Sequence, residues 1–174
     1  MAVDLDFLNN ILSTESLSDI WKESEPDELT WIKYAEDAQK YLNRPAFDGT
    51  HITGKMLADS ARLNYIKNKK ILPVEFVLAQ LQKESTMGTK GRSPKNNPAN
   101  VGEYDEGTKI KFNSPEEGIN AYYSLISNDY LRDKNVSDLI SNFVNYRGDR
   151  YATDPGYEKY FQDQIPFIER FLSK

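Results

Sequence analysis

The residues that could do chemistry centre on Glu84. The stretch Pro73 to Glu84 reads Pro-Val-Glu-Phe-Val-Leu-Ala-Gln-Leu-Gln-Lys-Glu. Pro73 suits the first turn of a helix, where its missing N–H costs nothing. Val77, Leu81 and Glu84 fall at helical spacing, so one apolar stripe ends in a carboxylate. Burial there disfavours the charged form and raises the pKa, and the partial negative charge of a helix C-terminus acts in the same direction. A glutamic acid kept protonated toward neutral pH is suited to general acid catalysis. The alternative from spacing alone is a carboxylate leaning into solvent at a frayed helix end.

Composition narrows the chemistry. The chain has 174 residues, 39% hydrophobic and 12% aromatic, enough for a real core and most simply one domain with an appendage. It has no cysteine, so disulfides and thiol chemistry are excluded, and its single histidine, His51, cannot form a multi-histidine metal site. No metal or organic cofactor is expected. A net charge of −5 argues against a nucleic-acid partner, which calls for a basic patch. No run is long and apolar enough to span a bilayer. The N-terminus, Met-Ala-Val-Asp-Leu-Asp, lacks the basic and apolar regions of a secretion signal. The expected location is therefore the cytoplasm of the producing cell, with release by lysis or delivery within a particle.

The elements that must position Glu84 can be read around it. Residues 1–50 read as short helices with acidic breaks, carrying Phe7, Leu8, Ile11 and Leu12, then Leu17, Ile20 and Trp21, then Trp31, Ile32, Ala35 and Leu42. They form an N-terminal extension that either packs on the main domain, 51–174, or docks the protein onto something larger. Thr53 is an N-cap for a helix through about Asn68, with Met56, Leu57, Ala61 and Tyr65 facing inward. After Glu84, residues 85–100 hold Gly88, Gly91, Pro94 and Pro98, a long polar loop of the kind that carries binding work. Residues 101–104 and 108–112 read as two short strands, with Asp105-Glu106-Gly107 as the hairpin turn. Ser114-Pro115-Glu116-Glu117 starts a helix with Glu117 completing a capping box, and that helix carries Ile119, Tyr122, Tyr123 and Ile126. Another helix begins near Ser137. Asp154-Pro155 opens a last helix with a kink expected at Pro166. The fold class is α+β, mostly α, with one small hairpin.

Four pieces in this order carry a resemblance: Leu78-Ala79-Gln80-Leu81-Gln82-Lys83-Glu84-Ser85, Asn97-Pro98-Ala99-Asn100-Val101-Gly102, Phe112-Asn113-Ser114-Pro115-Glu116-Glu117-Gly118 and Tyr151-Ala152-Thr153-Asp154-Pro155-Gly156-Tyr157. Together they resemble the lysozyme superfamily, and within it the peptidoglycan-cleaving glucosaminidases of bacterial autolysins and phage particles. The resemblance covers about Thr53 to the C-terminus. It implies a lysozyme-like domain that cleaves glycan strands of peptidoglycan, with Glu84 protonating the leaving glycosidic oxygen and Tyr151 lining the cleft and assisting. Tyr151 is equally readable as a core aromatic. Glycosidases of this kind usually place a second carboxylate across the scissile bond. Glu103, Asp105 and Glu106 compete for that position, with Glu103 placed to enter the cleft and the other two readable as turn residues. Asn100, Tyr104, Asp105, Tyr122 and Tyr123 are candidate substrate contacts, each also readable as packing or turn chemistry. Lytic transglycosylase and muramidase activities use the same glutamate and remain open, as does a non-catalytic structural or glycan-binding role. Lys83, Lys90, Arg92, Lys95, Lys109 and Lys111 gather around this region in an otherwise acidic chain. With the missing signal, that suggests a phage virion protein whose N-terminal helices dock on the particle.

Overall fold

The computed structural model describes residues 26–90, 95–102 and 110–174, and the structural statements below concern those residues. Helix α1, Glu28–Leu42, begins where Asp27 accepts a hydrogen bond from the Thr30 N–H at 2.9 Å. Its buried residues, Trp31, Tyr34, Ala38, Tyr41 and Leu42, recur at spacings of three and four and make one apolar face. Ile32, read from the sequence as a core position, lies off that face and is 46% exposed.

Helix α2, Gly54–Asn68, starts at the expected cap, with Thr53 Oγ1 accepting from Met56 N. It lies against α1 with the backbones almost touching: a Cβ on Gly54 would stand 2.0 Å from the Ala35 carbonyl oxygen. Helix α3, Val74–Ser85, is buried around most of its circumference and packs on both α1 and the C-terminal helix. A helix buried on most of its sides belongs in the middle of a domain. Helix α4, Pro115–Leu125, is capped by Ser114 and runs on into a π-helical turn, Ile126–Tyr130. Glu117 does close the start of α4, but its carboxylate accepts from the Asn113 N–H at 2.8 Å, one residue before the cap. The Lys70 ammonium, from just beyond α2, hydrogen-bonds the carbonyls of Ser127, Leu131 and Arg132 and fastens the end of this π turn. Helix α5, Val136–Ser141, is short, and α6, Tyr157–Leu172, contains Pro166 without being broken.

These six helices share one core. Tyr34 of α1 joins it through its hydroxyl, which donates to the Leu72 carbonyl at 3.1 Å and sits 2.7 Å from the Tyr123 hydroxyl of α4. Helix α1 therefore packs in the same core as α2, α3 and α6. The first two expected helices, within residues 1–25, lie outside the described residues. Most of the expected hairpin does too. Its described flanks, Val101–Gly102 and Ile110–Phe112, form no strand, although Ile110 packs where a Gly102 side chain would stand. The only β pairing among the described residues is an isolated bridge between Val144 and Arg150. None of the described helices is long and apolar enough to cross a membrane.

Candidate active site

Glu84 occupies the last turn of α3, and the chain turns sharply just after it. Thr86 and Met87 take left-handed conformations, φ 51° and 57°. The N–H groups of Thr86 and Met87 return to the Gln82 and Leu81 carbonyls, and Gly88 N–H donates to Ser85 Oγ at 2.8 Å. A β-branched threonine at positive φ is unfavourable, and such backbone strain tends to gather at functional positions. Fully buried Met87 anchors the turn in the core. The Glu-Ser pair of the first sequence piece thus has separate jobs: Ser85, 2% exposed, ties the turn, and Glu84 is left at the rim.

The second piece folds into a closed turn that points one side chain at that rim. Buried Asn97 clasps Val101 in both directions, Nδ2 donating to the Val101 carbonyl at 2.9 Å and Oδ1 accepting from the Val101 N–H at 2.8 Å. Inside this clasp Asn100 adopts φ 53°, a conformation asparagine tolerates better than most residues. Its Nδ2 donates to the Glu84 carbonyl and to Glu84 Oε2, both at 3.0 Å. The third piece holds the turn from behind. A Cβ on Gly118 of α4 would meet the Asn96 carbonyl oxygen at 1.9 Å, so only glycine lets α4 abut this backbone.

The fourth piece brings two tyrosines with different contacts. Tyr151 donates to the Ala99 carbonyl at 2.9 Å, bracing the Asn100 turn, and its half-buried ring packs edge-on against Tyr130 and Phe143. Tyr157, 2% exposed, stacks on Tyr151 with ring centroids 5.7 Å apart and donates to Glu84 Oε1 at 2.5 Å. The hydroxyl that reaches the carboxyl thus belongs to the second tyrosine of the piece, to which the sequence alone assigns no role. Gln80, also unremarked there, is fully buried on α3 one turn before Glu84 and donates to the Tyr157 hydroxyl at 3.3 Å. A lone polar residue four positions before Glu84 in an otherwise apolar run was the available signal for it.

Burial raises the Glu84 pKa above the ordinary carboxylate value, opposed by the hydrogen bonds from Tyr157 and Asn100 and by the Lys83 charge. The dominant cause is desolvation, the mechanism that keeps a carboxylic acid protonated. Lys83 itself is engaged, 2.8 Å from Asp154 and 5.2 Å from the Tyr160 ring. Both hydrogen bonds to the carboxyl are donated to it, so neither partner takes its proton.

The structure places the remaining expected residues as follows. Tyr122 and Tyr123 are 0% and 1% exposed and offer no surface to a glycan, a correction to their reading as substrate contacts. Their rings fill the core, and their hydroxyls bond to Gln80 and to the Leu57 carbonyl. Alternation of apolar and polar residues cannot separate a tyrosine inside a helix-packed core from one in a cleft. Glu103, Tyr104, Asp105 and Glu106 lie outside the described residues.

The profile of the glucosaminidase family, described as mannosyl-glycoprotein endo-beta-N-acetylglucosaminidase, matches residues 60–169, well over half of the chain. The chain belongs to the glucosaminidase family. It is accordingly a glycosidase acting on peptidoglycan. The glucosaminidase match contains Gln80, Glu84, Asn100, Tyr151 and Tyr157, and so takes in every described residue that meets at the carboxyl. Helix α1 falls outside the glucosaminidase match although it packs against α2, α3 and α6. Comparison with curated proteins and with solved structures returns no match.

Proposed function

We propose that the protein is an endo-β-N-acetylglucosaminidase of peptidoglycan in which Glu84 is the general acid. The observation that carries this reading is a carboxyl raised in pKa by burial and held by two donated hydrogen bonds, from Tyr157 and Asn100. In the reaction the Glu84 proton passes to the glycosidic oxygen as the C1–O bond breaks. The bonding electron pair leaves with that oxygen, and positive charge develops at C1. Water then adds at C1 and gives up a proton, and Glu84 is reprotonated before the next turnover. Tyr157 and Asn100 stabilise the carboxylate formed in the first step, because hydrogen bonds to an ionised acceptor are stronger than those to a neutral one. Tyr151 supports this indirectly by bracing the Asn100 turn. Glu103, next in the chain after Gly102, is the second carboxylate in this reading, with Asp105 and Glu106 its competitors.

The test is mass spectrometry of fragments released from purified peptidoglycan. Reducing-end N-acetylglucosamine is the expected product. Reducing-end N-acetylmuramic acid would assign a muramidase, and 1,6-anhydro ends a transglycosylase. Glu84→Gln is expected to lower turnover by about 10²–10⁴-fold, the usual contribution of a general acid. Undiminished turnover in that variant would refute the assignment of Glu84.

A further inference from the structure

The carboxyl of Glu84 is the end of a longer chain of hydrogen bonds that runs into the core. Tyr122, fully buried on α4, donates to Gln80 Oε1 at 3.0 Å. Gln80 Nε2 donates to the Tyr157 hydroxyl at 3.3 Å, and that hydroxyl donates to Glu84 Oε1 at 2.5 Å. The Gln80 amide therefore faces one phenol with its oxygen and another with its nitrogen.

The direction of this chain follows from what each group must satisfy. A buried hydroxyl needs an acceptor for its proton, and an unpaired buried donor costs about 1–3 kcal/mol. Tyr122 directs its proton to Gln80 Oε1. Turning the Gln80 amide over would point N–H groups at that hydroxyl and set the amide oxygen against Tyr157. Tyr157 would then give its single proton to Gln80, and Glu84 would lose its donor. With the amide as it stands, Tyr157 already accepts from Gln80 and has only Glu84 Oε1 to donate to. Asn100 is fixed in a comparable way, because the opposite amide orientation would set Oδ1 against the Glu84 carbonyl, acceptor facing acceptor.

We propose that Gln80, held by Tyr122, is a positioning residue that sets the direction of this chain, so that the proton Glu84 transfers resides on Oε2. The proposal rests on the reading of Glu84 as general acid and adds which oxygen carries the proton and what keeps it there. Oε1, receiving the Tyr157 hydrogen bond, serves as the carbonyl oxygen of the neutral acid. Oε2 receives the Asn100 hydrogen bond and keeps a hydroxyl proton that no described protein group accepts. The glycosidic oxygen is then its acceptor. The other titratable groups acting on Glu84 are Lys83 on its own helix, Tyr151 before α6, Tyr160 on α6 and Tyr122 on α4. Among these the lysine favours the ionised carboxyl, and the phenols are neutral across the working pH range because burial raises each of them.

The experiment measures kcat and KM against pH on purified peptidoglycan for the wild type, Tyr122→Phe and Glu84→Gln. Each variant is first checked for folding by thermal melting. Tyr122→Phe keeps the ring and releases the amide to turn. It is expected to lower kcat about tenfold with KM within about twofold, and to move the alkaline limb of the kcat profile upward by about one pH unit, as loss of one charge-assisted hydrogen bond requires. A kcat profile within twofold of wild type, unmoved in pH, overturns the proposal while an inactive Glu84→Gln leaves the general acid in place. An active Glu84→Gln overturns both. The second measurement needs no variant: in wild-type protein carrying ¹³C-labelled tyrosine, the Tyr157 Cζ signal should step as Glu84 titrates while Tyr122 shows no step. A matching step at Tyr122 means that the chain reverses, and the proposal fails.

Discussion

Replacing Tyr157 by phenylalanine isolates the contribution of one oxygen to the Glu84 acid. The ring stays in a packed environment, with the Phe143 and Phe161 centroids each 5.1 Å away and Tyr151 stacked at 5.7 Å. Two hydrogen bonds disappear: the 2.5 Å donation to Glu84 Oε1 and the 3.3 Å donation from Gln80. The first is the larger, since a hydrogen bond to a charged group is worth about 1.5–3 kcal/mol and a neutral one about 0.5–1.5. Its loss falls on the ionised form of Glu84, so the carboxyl holds its proton to higher pH. At about 1.36 kcal/mol per pH unit, the alkaline limb of the activity profile moves up by about one to two pH units. Stability follows the same linkage. Glu84 has a folded-state pKa above its unfolded value, so its contribution is fully present below the ordinary carboxylate range and is lost as pH rises through the folded value. Tyr157→Phe raises that folded value further, so the difference in unfolding free energy from wild type should be small in acid and grow toward neutral pH. The assay is release of reducing ends from purified peptidoglycan across pH, paired with denaturant unfolding at acidic and neutral pH. An alkaline limb that stays in place or moves down, or a stability difference that shrinks toward neutral pH, refutes the reasoning.

Other consequences concern the parts that hold the site. Gly118→Ala places a Cβ against the Asn96 carbonyl and should cost about 1–3 kcal/mol by overpacking, with turnover falling as the Asn100 turn is displaced; thermal melting and reducing-end release measure the two effects. Trp31→Ala, on a helix outside the family match, removes a side chain 5% exposed and should cost about 3–5 kcal/mol in denaturant unfolding, as a core truncation does. Glu84→Gln should leave the melting temperature at neutral pH unchanged or higher, because the wild-type carboxyl is partly desolvated there and its ionisation opposes folding.

Much of this arrangement can be read in the chain before it folds. The caps Thr53 and Ser114, the proline at the head of α3 and the apolar stripe ending at Glu84 are local signals, since each acts within a turn or two of backbone. They sufficed to start α2, α3 and α4 where the structure starts them, and to single out Glu84 as a carboxyl drawn into the core. The ordered pieces around Glu84, Asn100 and Tyr151 likewise named three residues that the fold gathers at one place. What the sequence left open depends on contacts across long separations. Tyr122 and Tyr123 have the same composition of neighbours as a cleft tyrosine would, and only the packing of α4 into the core, chiefly against α2, buries them. Tyr151 and Tyr157 end the same short motif, yet the start of α6 brings only the second hydroxyl within 2.5 Å of Glu84.

The chain by itself thus determined a mostly helical domain and a glutamic acid at the end of its central helix, because periodicity and capping are encoded within a few residues. The tertiary structure decided that Tyr157 and Asn100 both donate to that acid, that Gln80 stands behind Tyr157, and that α1 belongs to the same core. Hydrogen-bond direction and burial are properties of groups 16 to 77 positions apart in the chain that meet only when the helices pack. No pattern along the sequence specifies which of several tyrosines will arrive.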